Sequence, residues 1–310
     1  MCDIWKITDS RELSAGELER HLGDIERLGV EWTVFTGGEP LMHSDLFHLS
    51  RMLRARRIRT TILTSGLLLA RHAEAIVADV DDVIVSLDGP PQVHNEIRGV
   101  PNAFDLLAKG VRAIYGISPG YSISARCTVQ SRNAGSLLGA IETARGLGLR
   151  SISFLAADLS SPAFNRPTLW SPAQQSTIAP ELSILETELD AIAADTSNAG
   201  FVLESPAKLR RIAAHFRAHH GLGSNTSPRC NAPWVSAVIE TNGDVRPCFF
   251  HPPIGNTAEG TLAEVLNGPG ALAFRESLDV AENPVCRRCV CSLYVDRPAT
   301  EPGKELTRPA

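Results

Sequence analysis

The first half of the chain alternates between two hydrophobic periods. Short runs of β-branched and apolar residues predict strands, and the segments between them carry apolar residues at steps of three and four, which predicts helices. The predicted strands cover residues 32–36, 59–64, 82–87, 121–130 and 151–155. The predicted helices cover residues 15–28, 44–57, 70–80, 103–115 and 135–147.

This alternation predicts an α/β fold, either a barrel or an open sheet. The run Val-Ile-Val-Ser-Leu at 83–87 is nearly all apolar, so we expect both faces of that strand to be covered, as in a parallel sheet. The pattern opens on a helix, whereas an α/β domain normally opens on a strand. The first strand of such a domain is therefore missing from the pattern.

Beyond residue 155 the alternation stops. The proline-containing stretch 156–173 is predicted as a loop, and helices are predicted over 179–194 and 207–220. In the loop, Asn165, Arg166 and Trp170 are candidate substrate contacts, with a packed connector as the favoured interpretation. His215 and His219 have the i,i+4 spacing of a metal site, but no carboxylate motif accompanies them, and a solvated helix face is favoured.

Composition narrows the class of protein. The chain has 310 residues, 43% hydrophobic and 21% charged, which is typical of a globular protein. A net charge of −5 argues against nucleic-acid binding. No apolar run approaches the ~20 residues of a membrane helix, and no signal-peptide pattern opens the chain, so we expect a cytoplasmic protein without a membrane partner. Seven cysteines are too few for a disulfide scaffold, and Cys127, inside a strand, is expected in the core.

Five of the seven cysteines lie in the last third. Cys230 and Cys248 flank a predicted β-hairpin with an Asn-Gly turn, and Cys286 and Cys289 form a C-x-x-C knuckle. Cys291 is either a replacement ligand or a bystander. Four thiolates from a hairpin and a knuckle predict a tetrahedral sulfur site, and the spacing is equally compatible with zinc and with an iron–sulfur cluster. Disulfides are disfavoured.

A short glycine motif follows the first predicted strand. Gly37, Gly38, Glu39 and Pro40 come directly after it. The two glycines let the backbone approach a ligand closely, and Glu39 adds a fixed negative charge. Because barrel enzymes bind their ligands at the carboxyl ends of the strands, the motif indicates ligand binding. An ordinary strand–helix turn is the alternative.

Three motifs together resemble the radical S-adenosylmethionine (radical SAM) enzymes. They are the Gly-Gly-Glu-Pro turn, the Ser-Leu-Asp-Gly-Pro run at 86–90 and the C-x12-G-x4-C…C-x-x-C tail. The tail is similar to the SPASM or twitch extension that carries an auxiliary cluster, and the resemblance covers about residues 1–295. It implies a partial (β/α)6 TIM-like barrel without its first strand, plus a small C-terminal α+β domain. The implied boundaries are 1–156 for the partial barrel, 157–227 for a loop and helical connector, 228–295 for the cysteine-rich domain and 296–310 for a disordered tail.

The resemblance also implies which residues bind the cofactor. Family members hold the amino group of SAM with the glycine-glycine-glutamate turn, which corresponds here to Gly37, Gly38 and Glu39, with Pro40 following. Polar residues at the ends of the next strands are candidates for the ribose and carboxylate of SAM: Ser65, Ser86, Asp88 and Arg126. Turn capping is the alternative for Ser65, and an ion pair is the alternative for Arg126.

The sequence departs from the family at the catalytic cluster. The family ligates a catalytic 4Fe-4S cluster with C-x3-C-x2-C, but only Cys2 lies at that end of the chain. Met1 and Cys2 look like the end of that motif, so we expect a strand and two further cysteines to precede Met1 in the complete protein. A degenerate paralogue is the alternative. With Cys2 alone, we expect little or no SAM cleavage by these 310 residues.

The implied function is a radical SAM oxidoreductase or maturase. In the complete form it would produce a 5′-deoxyadenosyl radical that modifies a peptide or a small metabolite. Its implied cofactors are SAM, the catalytic 4Fe-4S cluster and an auxiliary iron–sulfur cluster on Cys230, Cys248, Cys286, Cys289 and Cys291. An electron donor such as flavodoxin or ferredoxin is the implied partner. The alternative is a non-catalytic protein with a single structural four-cysteine site holding zinc or an iron–sulfur cluster.

Overall fold

A five-stranded parallel sheet forms the centre of the molecule in this computed structural model, which describes residues 11–163, 166 and 168–296. The strands are β1 (Trp32–Phe35), β2 (Arg59–Thr64), β3 (Asp82–Ser86), β4 (Ser122–Val129) and β5 (Ile152–Ala156). They pair in sequence order, and each pair is parallel. The sheet curves into a half-barrel, which confirms the predicted partial TIM-like fold.

Helices connect the strands and cover the outer face of the sheet. They are α1 (Ala15–Arg27), α2 (Leu46–Arg54), α3 (Leu69–Asp79), α4 (Pro91–Arg98), α5 (Ala103–Ile117) and α6 (Leu137–Gly146). Each of the five predicted helices is present to within three residues at either end. The predicted helix over 44–57 begins later, because Ser44 hydrogen-bonds with Glu12 rather than with the helix end.

The two faces of the sheet differ in polarity. Along β4, Ile123, Ala125, Cys127 and Val129 point toward the helices and are at most 1% exposed. The alternate positions, which include Arg126, are half-buried and face the inside of the half-barrel. In β3, where the sequence predicts that both faces are covered, Val83 and Val85 on the outer face are at most 1% exposed, whereas Ile84 and Ser86 on the inner face are half-buried. The expectation therefore holds fully only for the outer face.

Helical and cysteine-rich segments follow the sheet. The helices are α7 (Pro172–Ile178), α8 (Leu182–Ala194), α9 (Pro206–His219), α10 (Ala232–Val235), α11 (Leu262–Asn267), α12 (Pro269–Ser277) and α13 (Pro284–Arg288). A small antiparallel sheet contains β6 (Val238–Ile239), β7 (Asp244–Arg246) and β8 (Gly255–Asn256). The first two strands form the predicted hairpin, and Gly243 has φ +88° in its turn, where glycine carries no steric penalty. Together they confirm a small α+β domain.

Several sequence predictions fall outside the described residues. Cys2, Asn165 and all but the first residue of the predicted tail at 296–310 are among them. Within the described ranges, no helix is both long enough and apolar enough to cross a membrane.

Candidate functional site

Glu39 lies at the carboxyl end of β1, and its carboxylate joins that end to the end of β2. One oxygen accepts hydrogen bonds from the Thr64 hydroxyl at 2.6 Å and the Leu41 N–H at 3.2 Å. The other accepts from the Ser65 N–H at 2.9 Å and from the Ser65 hydroxyl. These four donors occupy the acceptor positions of a carboxylate. The structure thus brings the predicted Glu39 and Ser65 together, and the contact braces two neighbouring strand ends.

The glycines before Glu39 are open to the surroundings. Gly37 has φ +130°, a conformation that L side chains rarely adopt. A Cβ atom added at Gly37 or Gly38 would meet no heavy atom within 4 Å. Both residues are exposed, whereas Pro40 is buried. The braced turn therefore presents bare backbone toward open space at the carboxyl edge of the sheet.

Asp88 is engaged within the protein. It is 2% exposed, and its carboxylate accepts a hydrogen bond of 2.7 Å from Arg98 Nε and lies 3.4 Å from His94 Nδ1. Burial raises the pKa of Asp88, but the hydrogen bonds and charges of His94 and Arg98 outweigh it and lower the pKa overall. Ser86, two residues earlier, is half-buried on the inner face of β3. The ligand-binding role of both residues stays a prediction.

Arg126 lies on the inner face of β4, level with Ser86 of β3 and Ser153 of β5. Its Nε donates to the Ser153 hydroxyl at 3.3 Å. The guanidinium faces a cavity of ≈100 Å³ between β4, β5, α9 and the segment 289–292. Arg126 is therefore an inner-face residue rather than part of a surface ion pair.

The same cavity contains groups that the sequence pattern did not single out. Lys208 and Arg211 project into it from α9, and Glu204 from the segment before α9. His215 also lines it, and its Nε2 lies 3.2 Å from the Ala157 carbonyl oxygen. The interpretation of His215 as part of a solvated helix face is wrong, because α9 packs that side chain against the end of β5.

The connector loop packs on itself. Arg166 is 5% exposed, donates to the Asp158 carboxylate at 2.8 Å and stacks over the Trp170 ring at 3.9 Å. These contacts agree with the favoured interpretation of a packed connector.

The C-terminal thiols of Cys230, Cys248, Cys286, Cys289 and Cys291 interact electrostatically with one another. Burial raises the pKa of the Cys286 thiol to about 11, with further contributions from Cys248 and Cys230. Burial and the neighbouring thiols Cys291, Cys248 and Cys230 likewise raise the pKa of Cys289. Among the described residues, no three His, Cys, Asp or Glu side chains form a ready metal-coordinating arrangement. Cys127, by contrast, is fully buried in the core, as predicted.

Two side chains contact the C-x-x-C knuckle formed by Cys286 and Cys289. His251 is 4% exposed and its Nε2 lies 3.4 Å from Cys286 Sγ. Arg211 donates from α9 to the Cys289 carbonyl at 2.9 Å. His251 follows Cys248 by three residues, so its place beside the cysteines can be expected from the sequence. The contact of Arg211 has no such signal, because its partner is 78 residues away in the chain. A soft, multi-thiol donor set of this kind fits an iron–sulfur cluster.

Two family models match the chain. Residues 1–123 match the radical SAM superfamily, and residues 230–290 match SPASM, the iron–sulfur cluster-binding domain. Together they cover more than half of the chain. The SPASM match contains four of the five C-terminal cysteines and ends one residue before Cys291.

The chain is also similar to individual proteins. It is 28% identical over 140 residues to an AdoMet-dependent heme synthase of Methanosarcina barkeri, a match spanning 44% of this chain and 40% of that protein. Its fold resembles native anSMEcpe with bound AdoMet, with a TM-score of 0.62, 16% identity and coverage of 93% of this chain and 82% of the other. Streptococcus suis SuiB bound to precursor peptide SuiA gives a TM-score of 0.61 at 17% identity, covering 95% and 69%.

The chain spans less than half the length of that curated relative. The family comprises enzymes that use SAM, a 4Fe-4S cluster and, with a SPASM domain, auxiliary iron–sulfur clusters. The comparisons give no support to an inactive chain or to the alternative of a non-catalytic metal protein. The fold, the braced glycine turn and the C-terminal thiols agree with both family models: the chain belongs to the radical SAM superfamily and carries a C-terminal SPASM domain.

Proposed function

We propose that the protein in its complete form is a radical SAM enzyme that forms a 5′-deoxyadenosyl radical from SAM and modifies a peptide or a small metabolite. The observation that carries this proposal is the exposed glycine turn at the carboxyl end of β1, held in place by Glu39. Barrel enzymes place their ligands at this edge.

The geometry refines how the turn would hold SAM. Because four protein donors already occupy the Glu39 carboxylate, the carbonyl oxygens of Gly37 and Gly38 would be the acceptors for the ammonium of SAM. Glu39 then acts by fixing the turn and by its charge. Ser65 is part of this brace, and Ser86 lies on the inner face of β3, two strands along from the turn.

The C-terminal thiols would hold the auxiliary cluster. We assign Cys230, Cys248, Cys286 and Cys289 as its ligands, because these four fall within the SPASM match. Their thiols must lose protons on binding, so cluster assembly releases protons. When bound, such a cluster accepts or donates single electrons.

The catalytic cluster is a different case. Cys2 is the only cysteine before Cys127 in these 310 residues, and Cys127 is fully buried. The residues present therefore do not supply the three-cysteine set of the family, and we derive no step through that cluster. A flavodoxin or ferredoxin as electron donor stays a prediction.

A paired substitution tests SAM binding. Gly38→Val fills the open space above the turn, and we expect it to raise the Kd for SAM at least about tenfold, as loss of one charge-assisted hydrogen bond would. Gly120→Val is the matched control, because Gly120 also has no heavy atom within 4 Å of an added Cβ but lies before β4, at the opposite edge of the sheet. Calorimetry on the two variants and the wild type would contradict the proposal if SAM did not bind, or if Gly38→Val bound it as the wild type does.

Formation of the 5′-deoxyadenosyl radical is measured separately, on the same protein preparations. After anaerobic reconstitution and reduction, iron per chain and 5′-deoxyadenosine are measured together. Iron beyond one cluster, with 5′-deoxyadenosine above the no-protein control, supports radical formation and contradicts the expectation that Cys2 alone cannot hold the catalytic cluster. Iron for a single cluster with no 5′-deoxyadenosine is the result that Cys2 alone predicts, and the SAM-binding measurement then decides the proposal.

A further inference from the structure

The cavity beside residues 289–292 is rich in positive charge. Arg126, Lys208 and Arg211 line it, against one carboxylate, Glu204. It lies between the inner face of the half-barrel and residues 289–292, so a group inside it is close to both the sheet and the auxiliary thiols.

Two of these cations make no hydrogen bond to a carboxylate. Among the residues that the structure describes, Arg126 donates through Nε to the Ser153 hydroxyl, and Lys208, an exposed residue of α9, forms no salt bridge. Arg211 donates to the Cys289 carbonyl instead. Glu204 accepts a hydrogen bond from the Phe154 N–H at 2.7 Å and attracts Lys208 and Arg126 electrostatically. The cavity nevertheless holds three cations against this one carboxylate, so its net charge favours an anionic ligand.

We propose that Arg126 and Lys208 form a binding site for a carboxylate arm of the substrate. A guanidinium and an ammonium bind a carboxylate by charge-assisted hydrogen bonds. The volume of ≈100 Å³ is below the roughly 300 Å³ of a typical whole-ligand pocket, so one carboxyethyl arm enters while the rest of the substrate stays outside. The inference deepens the proposed function and rests on it for the identity of the reaction.

The same carboxyethyl group occurs in two kinds of substrate. It is the side chain of glutamate in a peptide, and it is the propionate arm of a tetrapyrrole. The solved structure with a precursor peptide and the heme synthase relative concern other proteins, so the experiment has to distinguish the two sources for this chain.

Calorimetry on the reconstituted full chain tests the site with small probes. We expect glutarate to bind and its neutral analogue glutaramide not to bind. Arg126→Gln and Lys208→Gln should each weaken glutarate binding about tenfold, the loss of one charge-assisted hydrogen bond. Arg210→Gln is the matched control, since Arg210 is an exposed cation on the same helix that does not line the cavity. Its glutarate affinity should equal that of the wild type.

Competition experiments against glutarate then identify which kind of substrate supplies the carboxyethyl group. Displacement of glutarate by Ala-Glu-Ala but not by Ala-Gln-Ala indicates a peptide glutamate. Displacement by coproporphyrin III but not by its tetramethyl ester indicates a tetrapyrrole propionate. Displacement by neither contradicts the proposal.

Three other results would also overturn the carboxylate-site proposal. The first is equal binding of glutarate and glutaramide, and the second is an equal loss of glutarate affinity in Lys208→Gln and Arg210→Gln. The third is a Kd for SAM that rises in Lys208→Gln as much as the Kd for glutarate does. The last result would assign the cations to the carboxylate of the cofactor. A chain that binds glutarate but not SAM would refute the proposed function and keep the carboxylate site, so the two failures are distinguishable.

Discussion

His215 illustrates how burial at a single residue makes stability depend on pH. Burial lowers the pKa of His215 to about 4, and the charge of Asp158 and the hydrogen bond to the Ala157 carbonyl oppose this only in part. An unfolded histidine titrates near 6.5. Between these two values the unfolded chain binds a proton that the folded chain does not. The stability that neutral His215 contributes is therefore complete above pH 6.5 and is lost as the pH falls toward 4.

His215→Gln tests this dependence. Glutamine keeps an N–H for the Ala157 carbonyl and removes the titration. We expect the free energy of unfolding of the wild type, relative to the variant, to fall by about 2 kcal/mol between pH 7 and pH 4. His48→Gln, at an exposed position on α2, should show no such change. Denaturant titrations at the two pH values give the comparison, and a pH-independent difference at His215 would contradict it.

Residue types and spacing predicted only part of the candidate site. The Gly-Gly-Glu turn and the C-x-x-C knuckle are contiguous in the chain, so their pattern is visible in the sequence. The brace from Thr64 to Glu39 and the placement of Lys208 in the same cavity as Arg126 join residues 25 or more positions apart. A single sequence carries no signal for such contacts.

At the scale of elements, α3 and α5 depend on a glycine for their close approach. A Cβ atom at Gly110, in the middle of α5, would clash with Leu69 Cβ and lie 3.1 Å from the Ala70 nitrogen. Gly110→Ala gains up to about 1 kcal/mol of helix propensity, but the overpacking costs more, so we expect a net loss of about 1–2 kcal/mol. Gly116→Ala is the control on the same helix, because nothing lies within 4 Å of its added Cβ. Thermal unfolding should show the two variants shifting in opposite directions.

Long helices were predictable from the sequence and short helices were not. The five strands and the five helices of nine or more residues between them show their hydrophobic period, and the predicted ends differ from the structure by three residues or fewer. The helices α4, α10, α11 and α13 have between four and eight residues. Two turns or fewer give too few apolar positions to define a period. Their ends are set by local caps, such as Gly99 at φ +66° after α4.

At the scale of the whole molecule, the N-terminal helices hold the cysteine-rich domain. A second hydrophobic cluster joins Leu22 of α1 and Leu53 of α2 to Val245, Leu262 and Leu266 of that domain. This contact fixes the hairpin that carries Cys248 relative to the half-barrel. The position of the auxiliary thiols is therefore coupled to the start of the barrel as well as to α9.

Asp24 supplies the polar part of the same contact. It is 6% exposed, and its carboxylate accepts the Ala263 N–H at 2.7 Å, in the first turn of α11. A carboxylate at a helix N-terminus accepts a hydrogen bond from an otherwise unpaired backbone N–H and interacts favourably with the positive end of the helix dipole. Asp24→Ala leaves that N–H unpaired, so we expect a loss of about 1–2 kcal/mol in the free energy of unfolding.

The loss of stability in Asp24→Ala should be confined to the contact between α1 and α11. Hydrogen exchange of Asp24→Ala should rise in peptides covering residues 255–267 before it rises in β3 or β4, because the inner strands do not depend on this cap. Glu19→Ala is the matched control, an exposed position on the same helix, and should leave exchange unchanged. Uniform acceleration across the whole chain would show that the half-barrel and the cysteine-rich domain unfold as one unit, and that Asp24 does not act through α11 alone.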